Sequence, residues 1–523
     1  MKHIARRKVA VRPSTAVPAA LASDTLGGAF APLNGFRWVT IPRDANADTL
    51  RPLPLQRAQS RDLARHNPVV VGAMGTYLDR VVGTGLALVA APDRRVLGWS
   101  DERAEAWKHL VQTEFSLWAD NADCDITAAG NFYQRQRVVA GARAESGDCF
   151  SLLPDGEQTP TMPYRLRLQL LEADRIGNPG GLSDTADTAG GIQRDPNGRP
   201  LRYFVYHRHP GSSYATSDRF AGQWVDAIGP SGRRRMLHHW QPTRPEQSRG
   251  VPWFAPIVAL LKDLHAYTDA ELKAALVSSF FTTFVLTETG DPAPIFAGAT
   301  LDEGRADPSE IRMGPGAVVG LARNEKVEFA DPSRPNTAFE AFVNAVTVQI
   351  GMALSIPFEL LTKRFNASYS ASRAALLDAW MFFRTQRAWL ALSFCQPSYE
   401  TWLAEAVSMN RVAAPGFFSD PLLRWAYTRA AWHGDSQGSI NPKDEVAAYA
   451  AALDAGLMTH ERAEWELFGS DWNVTLAQKV AEHRRLAAEG LLPPPKPGAA
   501  AGPGEPSSPV SSPAPATDTE VQP

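Results

Sequence analysis

From Phe339 the apolar residues fall at helical steps: Phe339, Phe342, Val343, Val346, Ile350 and Leu354 make one stripe. Recurrence every three or four residues predicts an amphipathic helix. Thr337 and Glu340 have the spacing of a capping box, so that helix is expected to begin at Thr337. Pro357 is expected to end it, because the residue before a proline is pushed out of the α region. A second helical pattern restarts near Ser370 or Ser372 and runs past Trp380, Phe383 and Trp389, with a kink expected at Pro397. Between the two lies Leu361-Thr-Lys-Arg-Phe-Asn-Ala-Ser-Tyr-Ser370, which carries Lys363 and Arg364 and no acid. Two long helices presenting a short basic loop make a mechanical arrangement rather than a catalytic pocket.

Upstream, Asn67 can cap a helix that has Pro68 at its first position and stops at Gly83-Thr-Gly85. Asp101 can cap a helix with Trp107, Leu110, Val111 and Trp118 on one face, and a third helix is expected over 131–146. The period then changes to two: Tyr164-Arg-Leu-Arg-Leu-Gln-Leu170 alternates as a half-buried strand does. Residues 192–206 predict a β-hairpin turning at Asn197-Gly198, and Met236–Trp240 predicts a further strand. From Pro252 to about Phe281 the pattern is helical again. Strands are expected at Ala317–Leu321 and Lys326–Phe329, and short helices at Pro442–Leu453 and Glu461–Phe468. The fold class is α+β.

At 523 residues the chain should form two to four packed units. Hydrophobic residues at 44% and charged residues at 21% fit a soluble globular protein, and no stretch approaches the roughly 20 apolar residues of a membrane helix. Residues 1–35 are basic and aperiodic, as a flexible arm is, with no apolar run of the signal-peptide kind. Residues 492–523 are mostly Pro, Ala, Ser and Gly, a disordered composition. Cys124, Cys149 and Cys395 are too few and too scattered for a disulfide framework or a zinc module, and they fit a reducing compartment. A formal net charge of −3 gives no bulk attraction to nucleic acid.

A search for chemistry returns little. Gly83-Thr-Gly85 begins a dinucleotide-type motif, but Leu88 stands where a third glycine belongs, so a helix-ending turn is the better reading. No phosphate loop and no HExxH motif occurs. Gly434-Asp-Ser-Gln-Gly438 has the letters of a nucleophile elbow, yet a turn rather than a helix follows it. His207, His209, His238 and His239 read as ordinary sheet histidines, and Asp120–Asp125 reads as a solvated turn without the glycine and glutamate of a calcium loop. Arg244–Trp253 reads as a proline-rich approach to a helix, with Trp253 packing beneath. No cofactor and no metal is expected.

Several short stretches, in order, resemble the portal proteins of tailed bacteriophages, specifically the lambda-like family. They include Arg61-Asp-Leu-Ala-Arg-His-Asn-Pro68, Phe115-Ser-Leu-Trp-Ala-Asp120, Leu170-Leu-Glu-Ala-Asp174, Arg249-Gly-Val-Pro-Trp-Phe-Ala-Pro256, Ile356-Pro-Phe-Glu-Leu-Leu361 and Tyr369-Ser-Ala-Ser-Arg-Ala-Ala-Leu-Leu377. The resemblance implies a ring, usually of twelve subunits, at one capsid vertex, with double-stranded DNA passing through its channel without sequence readout. It implies terminase, capsid or scaffold protein and a head–tail connector as partners, no membrane and no enzymatic activity. Localisation would be the virion, and the host cytoplasm during assembly. Transferred to this numbering, the wing would span 36–252, a first stem helix 253–280, a clip 281–335 and a second stem helix 336–355. A tunnel loop would cover 356–371, the long helix and wing return 372–434, and a crown 435–491. Lys363, Arg364 and Arg373 become DNA-contact candidates, and Asp263, Asp269 and Glu271 candidates for an acidic channel lining. Rival readings are a nucleic-acid-processing enzyme of a mobile element, or a capsid scaffold or adaptor without a channel.

Overall fold

The computed structural model describes residues 42–214, 218–279, 283–286, 318–321, 339–365, 368–436, 442–470 and 472–491. The expected arm (1–35), most of the clip (281–335), the Thr337 cap, the strand at 326–329 and the tail (492–523) lie outside them. The chain divides into two compact units, residues 1–438 and 439–523.

The first unit opens with α1 (Ala45–Thr49), α2 (Leu53–His66), α3 (Pro68–Val81), β1 (Ala87–Ala90), α4 (Arg94–Leu97), α5 (Asp101–Ala119) and α6 (Phe132–Ser146). Asn67 caps α3 as its position predicts, its side chain accepting from the N–H groups of Val69 and Val70. Ser100, rather than Asp101, caps α5, and Asn131 with Gln134 closes a capping box on α6. Strands β2 (Asp148–Leu152), β3 (Gln169–Glu172), β4 (Thr188–Ala189), β5 (Ile192–Arg194), β6 (Pro200–Tyr206), β7 (Gly222–Asp226) and β8 (Met236–Trp240) follow. They form two antiparallel sheets, ordered β3-β2-β8 and β4-β5-β6-β7. The hairpin expected at 192–206 is β5–β6, with a register shift between Gln193 and Arg194.

Next come α7 (Val258–Ser279), the parallel pair β9 (Thr283–Leu286) and β10 (Val318–Leu321), α8 (Phe339–Leu354), α9 (Phe358–Thr362) and α10 (Tyr369–Leu390). After α11 (Gln396–Ser408) and α12 (Pro421–Thr428), β11 (Ala430–His433) pairs antiparallel with β1. The second unit holds α13 (Pro442–Asp454), α14 (His460–Phe468) and α15 (Trp472–Ala488). Gly456 ends the turn after α13 with φ of 69°, and Thr459 caps α14.

The main core lies between α3, α5, α6 and the α10–α11 rod. Val70, Ala73, Tyr77 and Val81 of α3 are buried at helical spacing. Phe115 packs edge-on against Phe132 and Trp402 at 5.5 and 5.1 Å between ring centroids, and Phe132 stacks on Phe394 at 5.2 Å. A smaller core of Phe150, Leu171, Ile176, Ile192, Tyr203, Val205 and Met236 joins the two larger sheets.

Three sequence expectations change. The stretch at 164–170 buries Tyr164, Leu166 and Leu168, but Arg167 between them is buried as well, and only Gln169 onward is strand. Its backbone is met partly by side chains, Trp118 donating to Leu166 O at 2.9 Å and Glu405 accepting from the N–H groups of Arg165 and Leu166, and partly by neighbouring backbone, Arg167 N–H donating to Pro154 O at 3.0 Å and Leu168 N–H to Cys124 O at 2.7 Å. At Pro397 the hydrogen-bond ladder changes register without leaving the helix. A π turn over Ala391–Cys395 shifts the ladder first, ahead of a ring with no N–H to donate. Nor is Asp125 solvated. It is buried, accepts from Thr127 Oγ1 at 2.6 Å and faces the Arg135 guanidinium at 3.3 Å, which closes the turn that follows α5.

A polar hub holds the sheets to the helices. The carboxylate of Asp148, 0% exposed, accepts from Arg57 Nη2 at 2.7 Å, Arg249 Nε at 2.7 Å and the Gly250 N–H at 3.1 Å. Arg249 also donates to the carbonyls of Ala173, Ile176 and Gly190. Arg57 and Arg61 both reach Asp174. Glycine is required here, because a Cβ on Gly250 would lie 2.0 Å from Gly147 O. Such a charge cluster is tolerable in the interior only because every charged group is paired and hydrogen-bonded. The loop at 244–253, read from sequence as a plain approach to a helix, therefore supplies a central structural residue.

Candidate nucleic-acid interface

Helix α8 buries Val346, Ile350 and Leu354 and packs on α7, where Tyr267 meets the rings of Phe339 and Phe342 at 5.7 and 4.8 Å. It ends at Leu354, ahead of the expected stop. Ser355 takes a left-handed φ of 55°, and the Ile356 N–H returns to Gly351 O at 2.9 Å. This return needs glycine, because a Cβ on Gly351 would lie 2.6 Å from Ile356 O. Pro357 then occupies the N-cap position of α9.

The expected loop at 356–371 is therefore not loop throughout. It contains α9, which buries Leu360 and Leu361 and packs on α3 and α8, and it contains the first turn of α10. Lys363 ends α9 with φ of 56°, and Lys363, Arg364 and Phe365 are exposed at the tip. Ser368 caps α10, its hydroxyl accepting from the Ala371 N–H at 3.4 Å. Arg373 is exposed on that helix's early turns. A short basic tip thus stands on an apolar base fixed in the core. Arg364 lies 3.8 Å from Glu340, but both groups are solvated, so the pair adds little.

A cleft at the base of this tip is lined by Asp79, Arg80, Lys363, Phe365, Trp380 and Arg387, among others. Arg387 stacks over Trp380 at 4.8 Å and donates to the carbonyls of Val81 and Arg80 at 3.0 and 2.9 Å. It thereby satisfies the carboxyl-terminal end of α3, where cations are favoured. Burial lowers its guanidinium to about 10, with the Asp435 carboxylate opposing, so it stays charged at neutral pH. Asp435 accepts from both the N–H and the hydroxyl of Thr84, at 2.9 and 2.6 Å, and Asp79 pairs with Arg137 at 2.8 Å. The acids of the cleft are thus engaged by partners of their own.

The remaining sequence candidates distribute as follows. Asp263 is exposed on α7 beside exposed Lys262, Asp269 pairs with Lys273 at 2.6 Å, and Glu271 is half-buried. The helix therefore mixes signs along its exposed side instead of carrying acid alone. His238 and His239 are buried in β8, bonded to Asp148 at 3.1 Å and Ser151 at 2.7 Å. His207 and His209 lie just past β6, and His209 faces Glu172 at 3.2 Å. Strand β11 does precede Gly434, half of what a nucleophile elbow needs, but the Asp435 carboxylate serves Thr84. Among the described residues no group of three or more histidines, cysteines or acids could hold a metal ion, and no helix is long and apolar enough to cross a membrane.

Sequence reasoning missed the Asp148 hub and the Arg387–Trp380 pair. A seven-residue spacing, two helical turns, was the one signal for the pair; nothing local pointed to the hub.

Residues 35–387 match the family described as phage portal protein, lambda family. Portal protein B of Escherichia phage lambda is 24% identical over 463 residues, 84% of this chain and 85% of that protein. The portal protein of Escherichia phage N15 is 25% identical over 481 residues, 87% and 89% of the two chains. Among solved structures, a chain from "Neck of native GTA particle computed with C12 symmetry" aligns at 15% identity with a TM-score of 0.40, covering 78% of this chain and 92% of that one.

Proposed function

The chain belongs to the lambda family of phage portal proteins, and from that premise we propose how its parts divide the work of a DNA channel. Twelve copies close into a ring at one capsid vertex of the virion, assembled in the host cytoplasm, through which the genome is packaged and ejected. The wing comprises residues 36–252, the stem helices 253–280 and 336–355, and the clip 281–335, where terminase and later the head–tail connector dock. Capsid or scaffold protein meets the ring's periphery. The crown is assigned to 435–491, a span that includes the three helices of the second compact unit. The protein has no catalytic activity of its own.

The observation that supports this reading is the mounting of the tunnel loop. Leu360 and Leu361 anchor its base in the core, while Lys363, Arg364 and Phe365 stand exposed at its tip. Each lysine or arginine on a phosphate displaces counterions and adds affinity, so a channel that lets DNA slide needs few such contacts. Lys363, Arg364 and Arg373 supply that sparse, sequence-blind contact. On α7, Asp263, Asp269 and Glu271 offset Lys262 and Lys273, so the stem helix offers DNA no continuous basic track.

Negative-stain images of the purified chain, together with incubation on double-stranded DNA with magnesium or manganese, test the proposal. Rings with a central hole and intact DNA support it. A persistent monomer that cuts DNA overturns it in favour of a processing enzyme, and a hole-less oligomer overturns it in favour of a scaffold.

A further inference from the structure

A second cleft in the first unit is walled by acid. It lies where Asp44, the cap of α1, meets Asp184 and Asp187 of the segment before β4 and Glu246 of the 244–253 loop. Asp44 and Asp184 each accept with one carboxylate oxygen from a backbone N–H, those of Ala47 and Gly190, both at 2.8 Å. Asp187 and Glu246 are exposed, and their carboxylates make no hydrogen bond or ion pair among the described residues. Arg194 is the one cation among the described residues of the lining. Its guanidinium is turned to backbone, donating to the carbonyls of Glu246 and Gln247 at 3.3 and 3.0 Å.

A second, independent observation comes from Ser248, which also lines the cleft. Ser248 is 0% exposed, its N–H donates to Asn46 Oδ1 at 2.8 Å, and its hydroxyl has no hydrogen-bond partner. A buried hydroxyl left without a partner is costly, and such groups are normally met. Acid at the walls and an open acceptor below both call for a cationic N–H donor. An arginine or lysine side chain meets the two demands together. The chain carries such donors upstream, in Arg6-Arg7-Lys8, with Lys8 36 positions before Asp44. A link of that length can span up to about 3.3–3.6 Å per residue, ample for a return to the cleft. Because Asp44 itself lines the cleft, the tether raises the run's local concentration above that of a free basic peptide.

We infer that this cleft is the docking site of the chain's own Arg6-Arg7-Lys8 run. One basic side chain of the run donates to Ser248 Oγ, and its neighbours pair with Asp187 and Glu246. In a DNA channel a free basic run would seek phosphates, and docking here withholds it from them. The inference concerns a site separate from the tunnel loop and does not depend on the DNA-contact assignment.

The experiment uses the full chain carrying Ala5→Cys and Ala186→Cys, the native cysteines being buried. A short bis-maleimide is added at physiological salt, and the linked peptides are identified by mass after digestion. A link between positions 5 and 186 within one chain is expected. Asp187→Lys with Glu246→Lys should lower its yield at least fivefold. Adding Arg6→Glu, Arg7→Glu and Lys8→Glu to that variant should restore the yield, because the two charge reversals compensate. Absence of the link in the parent overturns the inference, as does a yield unmoved by the first reversal or not restored by the second. A link that joins two chains on a denaturing gel means that a second copy's run fills the cleft, and it also overturns the inference. Each variant is first checked for the parent's melting temperature. Where the lysine variant fails to fold, Asp187→Asn with Glu246→Gln replaces it, with at least a twofold fall expected and an unchanged yield overturning the inference.

Discussion

Arg249 meets Asp148 in the interior through two contacts, Nε to Oδ2 at 2.7 Å and Nη2 to Oδ1 at 3.2 Å, with the residues 2% and 0% exposed. Because Arg57 also depends on that carboxylate, replacing Asp148 by Asn leaves two guanidinium groups buried with much of their compensation gone. The expected loss is about 3–5 kcal/mol of unfolding free energy, the scale for breaking one partner out of a buried charge pair. Denaturant titration of the variant measures it, and a loss under about 1 kcal/mol would show that the hub contributes little.

Stability is expected to fall on mild acidification. Burial lowers the His238 imidazole to about 4, against the pull of the neighbouring Asp148 carboxylate, and burial lowers His239 to about 3. Below the ordinary value near 6.5 the unfolded chain therefore binds protons that the folded chain does not. Their contribution is complete above about pH 6.5 and declines toward pH 4, by up to about 1.4 kcal/mol per pH unit for each histidine. Burial raises the Asp148 carboxyl, but Arg249, Arg57 and His238 outweigh it and hold the group below its usual range, so its own loss comes at lower pH. Melting curves at pH 7.5 and 5.0 should differ clearly for the parent and less for a His238→Gln, His239→Gln variant.

Gly351→Ala tests the turn that positions the tunnel loop. In an ordinary helix interior this change is favourable by up to about 1 kcal/mol. Here the added Cβ would meet Ile356 O at 2.6 Å, so a loss of about 1–3 kcal/mol is expected, as for overpacking elsewhere. Gly72→Ala in α3, where a Cβ would meet nothing within 4 Å, is the matched control. Equal effects at the two sites would disprove the steric argument.

Lys363→Ala with Arg364→Ala should leave ring formation intact, since both side chains are exposed at the loop tip. The variant ring is expected to hold DNA more weakly, with a shallower dependence of log K on log salt, because each lost phosphate contact removes close to one unit of slope. DNA retention in packaged particles should fall with it. An unchanged salt slope would remove these residues from the proposed DNA contact.

The helices with strong local signals were legible in the sequence. Asn67-Pro68 announces α3, a helix expected over 131–146 matches α6, and the stripe from Phe339 to Leu354 describes α8 within a residue or two. Caps and amphipathic periods are properties of neighbouring residues, so they survive without a fold. The turn at Ser355 was less legible. Proline chemistry and the resemblance put the helix end at about 355, close to the observed Leu354, but did not reveal the return of Ile356 to Gly351 that shapes the turn.

The family stretches around Arg61, Asp174 and Arg249 were recognisable in order along the chain, but their purpose was not. Arg61 and Asp174 are 113 positions apart, and Asp148 and Arg249 are 101. Nothing local records that they converge, because burial of one charge is tolerable only after distant partners have been brought to it. By itself the sequence determined the α+β class, the main helices, the basic tip at Lys363 and Arg364 and the family likeness, all of which rest on short-range spacing. Only the tertiary structure decided that the tip stands on a helix locked into the core and that Asp125 and Arg249 are buried. Burial depends on what packs against a residue, and that is a property of the whole folded chain.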